Sequence, residues 1–296
     1  MNLSEIAKRF RIDKPDEFRL ADYDPADDMG LSIDKGDGKA MLAEGIKRLN
    51  DLQDLLYAET RWAVLVVLQG MDTAGKDGII EHVMSAINPQ GCEVHSFKQP
   101  SAEDLDHNFL FRAARHLPPR GLIGIFNRSH YEEVLVVRVH PDLLDKQKLP
   151  PSLVTKDIWR QRFEDICGFE RHLARSGTLV LKFFLNLSRE EQRRRLLARL
   201  DDPEKRWKFS MGDIAERALW PKYMEAYEDA IRSTSTDEAP WHVVPADKKW
   251  FARLVVASAM IDAIERLGLK NPTVDDAALK EMDKVRKTLE AEKPPK

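Results

Sequence analysis

Two cysteines in 296 residues, no long apolar run and almost no net charge set the first limits on this chain. Cys92 and Cys167 lie far apart and form neither a CxxC pair nor a metal-ligand spacing, which excludes a disulfide-stapled scaffold and a zinc module. The longest uninterrupted apolar stretch is the six residues Ala63–Leu68, far short of the roughly 20 needed to cross a bilayer as a helix. The opening Met-Asn-Leu-Ser-Glu-Ile-Ala-Lys mixes charged with apolar residues and contains no secretory apolar core. Lys and Arg total 47 against 50 Asp and Glu, a formal charge of −3. That balance argues against a charge-expanded disordered chain and against a general nucleic-acid or membrane partner. A polyanion, if bound, must meet positive charge gathered locally. The sequence has no internal repeat and no low-complexity tract. The expectation is a protein of the reducing cytoplasm, with 43% hydrophobic residues available for a core.

Five short apolar segments read as buried strands: Trp62–Gln69, Glu93–Phe97, Leu122–Asn127, Thr178–Asn186 and Trp241–Pro245. Helical patterns separate them, so a parallel sheet with helices on both faces is expected, an α/β class fold. Apolar positions at Met41, Leu42, Ile46, Leu49, Leu52, Leu55 and Leu56 predict one helix over 38–60, and another pattern ends before Asn88-Pro89. Residues 1–35, polar and turn-rich around Asp22-Tyr-Asp-Pro-Ala-Asp-Asp-Met-Gly30, read as an arm over the surface. Lys249–Leu267 and Asp275–Leu289 read as amphipathic helices. The stretch 188–235 is too long for a simple crossover and reads as a helical excursion, such as a lid.

The first strand ends in Gly70-Met-Asp72-Thr73-Ala74-Gly75-Lys76-Asp77-Gly78. This is G-x-x-x-x-G-K between a buried strand and a helix start, a loop whose backbone N–H groups cradle phosphate while the lysine offsets its charge. A structural turn is the plain alternative. Where such loops carry Ser or Thr after the lysine to reach Mg²⁺, this one has Asp77. Asp77 also suits the positive end of its helix. Asp72, inside the loop, has no such reason to be there and is the candidate Mg²⁺ ligand, with Mn²⁺ an alternative ion. The third strand ends in Asn127, Arg128, His130, Glu132 and Glu133. Asn127 offers a neutral oxygen where an Asp is usual, so Glu132 and Glu133 are candidates for the missing charge. Arg128 leaves a strand's carboxyl end toward the crevice where open α/β sheets bind ligands.

The excursion opens with the capping box Ser188-Arg-Glu-Glu191. Between 189 and 208 it carries eight basic and five acidic side chains. Arg195 and Arg199, four apart, share a helix face, and Lys205 and Lys208 follow around Trp207. A solvated helix surface is the bland reading. After a strand in a phosphate-loop protein, a phosphate-binding cover is the sharper one.

Four segments, taken in order, are similar to the second family of polyphosphate kinases over about residues 35–265. They are the glycine loop, Ile123-Gly-Ile-Phe-Asn-Arg-Ser-His-Tyr-Glu132, Asp202-Pro-Glu-Lys-Arg-Trp-Lys208, and Trp241-His-Val-Val-Pro-Ala-Asp-Lys-Lys249. The resemblance implies a three-layer α/β/α P-loop kinase, like thymidylate kinase, with a helical lid. It also implies Mg²⁺-dependent transfer of the terminal phosphoryl group of inorganic polyphosphate to AMP, ADP or both, reversible to consume ATP, with guanine nucleotides as further acceptors. The expected organisation is an arm at 1–37, a kinase domain at 38–270 with a lid at about 188–235, and a C-terminal helix and tail at 271–296. A homodimer or tetramer is expected.

By position, the resemblance gives Asp72, Lys76, Asn127, Arg128 and Glu132 the catalytic set. Gly70, Thr73, Ala74, Gly75, Lys76, Asp77 and Gly78, with Arg195, Arg199, Lys205 and Lys208, would bind phosphate. Arg112, Asn127 and Glu132 would face the nucleotide acceptor. Asn127 departs from the commoner Asp and is associated with a branch that uses AMP as well as ADP. An ATP-dependent nucleoside monophosphate kinase shares the loop and fold class. A nucleotide-binding switch without transfer is the reading from another class.

Overall fold

The five apolar segments pair into one parallel sheet in the order β2-β3-β1-β4-β5, in a computed structural model that describes residues 2–31, 36–84 and 87–292, the side chain of Lys208 excepted. The strands are β1 (Ala63–Gln69), β2 (Cys92–Ser96), β3 (Ile123–Asn127), β4 (Thr178–Asn186) and β5 (Trp241–Pro245). Every residue of β1 is buried, as expected of a central strand covered on both faces. Val64, Val66 and Leu68 enter one apolar cluster, and Leu65 and Val67 enter the other. Period-2 alternation thus feeds two cores from a single strand.

On the first face pack α1 (Leu3–Arg9), α2 (Asp37–Glu59), α3 (Lys76–Val83) and α8 (Lys249–Glu265). On the second lie α4 (Ile158–Arg175) and α7 (Trp220–Thr234), where Ile166, Leu173, Tyr227 and Ile231 meet Phe184 and Trp241. Between β4 and α7 stand α5 (Arg189–Asp201) and α6 (Met211–Ala218), and α9 (Asp276–Ala291) closes the described chain. The architecture is therefore a three-layer α/β/α sandwich.

Two segments differ from the sequence reading. The N-terminal stretch is built into the core: Ile6, Phe10, Ile12 and Phe18 are buried. The Asn2 side chain caps α1 in a reciprocal pair with Glu5. Beyond the helix, Ile12 N–H donates to Trp241 O at 2.9 Å and Val243 N–H to Phe10 O at 2.9 Å. The arm thereby covers the free edge of β5, which an exposed strand edge requires. Helix α8 is buried over most of its circumference from Phe251 to Ile264, more than an amphipathic surface helix would be, with Arg253 and Asp262 half-buried, because α1, α2, α3 and the sheet pack around it. Helix α9 keeps an exposed apolar stripe, at Leu279, Met282, Val285 and Leu289.

A buried ion pair ties the second face together. Lys182 of β4 is fully buried, and its Nζ donates to Glu170 Oε2 at 2.6 Å, Tyr131 OH at 2.9 Å and Thr234 O at 2.7 Å. Burial favours the neutral Glu170 carboxyl, yet Lys182 and His130 together outweigh it and hold the group below the usual range. Strand, α4, α7 and the turn after β3 meet at this one lysine.

Candidate active site

Strands are added to both sides of β1 in this parallel sheet, so the loop after β1 and the end of β3 open side by side at the strands' carboxyl ends. Register sets Leu68 opposite Asn127, and Arg128 N–H donates to Leu68 O at 3.0 Å. The loop residues that sequence reading singled out accordingly meet Asn127 and Arg128.

The loop from Gly70 to Gly78 turns sharply. Gly70 has φ +154° and Gly75 φ +110°; a Cβ on Gly70 would come within 3.0 Å of Leu185 O, so a side chain there is excluded. Thr73 and Arg128 carry positive φ, +65° and +62°, without being glycine, a strained conformation that clusters at functional sites. Lys76 opens α3, is 8% exposed, and donates from Nζ to Gly70 O at 2.6 Å and Met71 O at 3.3 Å. Burial, and then the Arg128 charge, lower its ammonium to about 8, with Asp72, Glu132 and Asp77 pulling the other way.

Charges around the loop are paired. Arg128 Nη2 donates to Asp72 Oδ1 at 2.8 Å, and Arg128 Nη1 lies 3.6 Å from Glu132 Oε2. Asn127 Nδ2 donates to Asp77 Oδ1 at 2.7 Å. Burial raises the Glu132 carboxyl above the usual range against the pull of Arg128, Lys76 and a hydrogen bond from Gln69. Glu133, the other acidic candidate, turns away: Gln147 donates to it at 2.5 Å, and Arg162 Nη1 lies 3.5 Å from the same carboxylate oxygen. It serves the α4 interface and cannot supply charge at the loop.

Arg195 reaches the loop from behind. Its Nε donates to Glu191 Oε1, Nη1 to Thr73 O and Ala74 O, and Nη2 to Ala246 O and Asp247 O, all within 3.2 Å. One guanidinium thus fastens the loop to α5 and to the end of β5. Arg199 stands one turn on, paired with Asp213 Oδ2 of α6 at 3.2 Å. Lys205 is exposed and bonded to Asp202. The side chain of Lys208 lies outside the described residues. Arg112 stands apart from Asn127 and Glu132: Lys98 O at 2.8 Å and Asp104 at 3.4 Å hold it over the Phe97 ring.

A cleft of about 780 Å³ lies over the loop, lined by eight cationic and three acidic side chains. Three of the cations, Lys98, Lys249 and Arg253, were not singled out from sequence. Lys249 ends the Trp241–Lys249 segment and Arg253 follows four residues later, the spacing of one helix face; that was the available signal. Gln69, fully buried at the end of β1, is the other omission. A polar residue closing an otherwise apolar strand was its mark. The arrangement can hold several linked phosphate groups at once and screen their mutual repulsion.

Comparison with known proteins agrees with this geometry. Residues 32–272 match the family model described as polyphosphate kinase 2. An ADP-polyphosphate phosphotransferase from Rhodopseudomonas palustris is 51% identical over 84% of this chain and 86% of its own length. An AMP/ADP-polyphosphate phosphotransferase from Meiothermus ruber is 45% identical over 92% of this chain and 98% of its own. Among solved structures, a polyphosphate kinase 2 from Arthrobacter aurescens TC1 superposes with a TM-score of 0.87 at 43% identity, covering 95% of this chain and 96% of that one.

Proposed function

The chain belongs to the polyphosphate kinase 2 family, and on that premise we propose that it transfers the terminal phosphoryl group of inorganic polyphosphate to a nucleotide, turning AMP into ADP, ADP into ATP, or both. The observation that carries the reading is the cleft over the glycine loop, where eight cationic side chains from both sides of the sheet's opening outnumber three acidic ones. A compact triphosphate needs less; a long chain of phosphates needs an open, extended basic surface.

The acceptor's nucleophile is a phosphate oxygen, anionic already at pH 7, so no general base is required. The difficulty is bringing two polyanions together in line. Backbone N–H groups of the loop and the Lys76 ammonium hold the donor's end group; Arg128 neutralises charge between donor and acceptor; Arg199, Lys205, Lys249 and Arg253 receive the rest of the chain. Arg195 acts on the loop rather than on substrate, since its donors go to protein oxygens. Asn127 and Glu132 face the acceptor, and Arg112 contributes only if the segment carrying it moves. Helices α5 and α6 close over the cleft as the lid.

A divalent cation suits the donor set. No group of three His, Cys, Asp or Glu side chains is arranged for a metal among the described residues, but Mg²⁺ asks for only one or two carboxylates plus substrate phosphates. Asp72 is the hard oxygen ligand at the loop, for Mg²⁺ or for Mn²⁺. Held by Asp72, such an ion would supply positive charge that offsets the repulsion between phosphates. The protein acts in the cytoplasm as a homodimer or tetramer, taking guanine as well as adenine nucleotides.

The test is direct. Purified protein with polyphosphate, Mg²⁺ and either AMP or ADP yields ADP or ATP by chromatography. Product formed from AMP only when ATP replaces polyphosphate would instead make it a nucleoside monophosphate kinase.

A further inference from the structure

We infer that Gln69 is a positioning residue for the acceptor end of the site: its side-chain amide fixes the turn that carries Arg128 and Glu132, and so sets how well a nucleotide is used. The inference rests on the polyphosphate-to-nucleotide reading above.

Gln69 closes β1 immediately before the glycine loop and is fully buried. Its Nε2 donates to Ser129 Oγ at 3.1 Å. Ser129, itself 2% exposed, accepts on the same oxygen from Tyr131 N–H at 3.1 Å and so caps the single turn His130–Glu133. Its carbonyl takes the Glu132 N–H at 3.1 Å. One residue earlier, Leu68 O holds Arg128 N–H at 3.0 Å. The start of the turn is therefore tied to the last two residues of β1, by one backbone and one side-chain bond.

The same side chain leaves Oε1 buried without a hydrogen-bond partner. An orphaned buried acceptor is destabilising, and a methionine would fill the space without one. What a glutamine supplies here is the N–H that orients Ser129, whose turn keeps Glu132 against Arg128 while Arg128 also holds Asp72.

The experiment compares wild type with Gln69→Met, measuring transfer from polyphosphate to AMP and to ADP. Losing the buried hydrogen bond to Ser129 lowers kcat/KM for the nucleotide by about threefold to tenfold, while the KM for polyphosphate holds. A pH profile supplies the reading that general loosening would not move. Glu132 is faced by Arg128 on its own turn, Lys76 of α3, Asp72 of the loop, and Tyr223 and Tyr227 of α7. With the Ser129 anchor gone, Glu132 is held less firmly against Arg128 and its carboxylate is less stabilised, so the acid limb of nucleotide kcat/KM moves to higher pH. Should Gln69→Met fail to fold, Gln69→Glu keeps the shape, replaces the donor with a second carboxylate and must move that limb further. Unchanged nucleotide kinetics and acid limb in an active, folded variant, or equal losses for donor and nucleotide, overturn the inference. A wild-type protein that transfers nothing from polyphosphate would instead strike the underlying reading.

Discussion

Arg128 and Asp72 are joined before any substrate arrives: Nη2 and Oδ1 are 2.8 Å apart, linking the end of β3 to the loop after β1. The arginine is shared, with Nη1 3.6 Å from Glu132, and its positive φ of +62° is held by the strand-end hydrogen bond to Leu68. Two carboxylates thus keep a guanidinium aimed at the gap between loop and turn. Phosphate arriving there would compete with these two carboxylates for the Arg128 guanidinium. Arg128→Ala should lower kcat by about 10²- to 10³-fold, the scale of one lost electrostatic stabiliser. Arg128→Lys should recover little, since an ammonium lacks the fork that spans both carboxylates. Steady-state turnover close to wild type in Arg128→Ala would remove it from the transition state.

Lys76→Ala and Asp72→Ala are each expected to reduce kcat by roughly 10²-fold or more, through loss of a cation at the donor phosphate and of the metal ligand. Titrating Mg²⁺ separates them. The Asp72 variant should need far more Mg²⁺ for half-maximal rate, whereas the Lys76 variant should not.

Lys76 also fixes a pH dependence. Burial, followed by Arg128, lowers its ammonium from the ordinary 10.5 to about 8. The charged form is the useful one, so kcat/KM for polyphosphate should fall as pH rises through about 8. Stability moves the other way. Between about 8 and 10.5 the unfolded chain binds the proton more tightly, so this residue's contribution to folding improves as pH rises. A pH–rate series on Lys76→Arg should lose the alkaline limb; a limb unchanged in that variant assigns it elsewhere.

The buried pair Lys182–Glu170 makes a stability prediction. Lys182→Met removes the charge paired with Glu170 and the ammonium that donates to Tyr131 OH and Thr234 O, a loss of about 3–5 kcal/mol by the usual scale for breaking one side of a buried pair. The double change Lys182→Met with Glu170→Leu should recover much of it. Chemical denaturation of the three variants measures this, and a single variant as stable as wild type contradicts it.

The strands and the loop were legible because each has a local signature. Thr178–Asn186 and Trp241–Pro245 end where apolar alternation ends, and Gly70, Gly75 and Lys76 sit where backbone curvature and phosphate chemistry demand them. Other features depend on partners distant in sequence. The first 35 residues look polar on average, yet Ile6, Phe10 and Ile12 are buried because β5 offers them an edge. Arg195 belongs to a helix run rich in arginine, and nothing local says that its donors meet carbonyls some 50 and 120 residues away. Glu132 and Glu133 are adjacent in sequence and diverge in space, since a tight turn sends one to Arg128 and the other to Arg162. Lys249 and Arg253 were visible as a spacing, but only the fold brings their helix to the cleft.

The most direct measurement follows the phosphorus itself. Polyphosphate labelled with ³²P is mixed with unlabelled ADP, Mg²⁺ and the protein, and the nucleotides are separated. The account predicts label in ATP at its γ position alone, and none with Lys76→Ala on the same timescale. Unlabelled ATP, or no ATP from a folded wild-type protein, would contradict it.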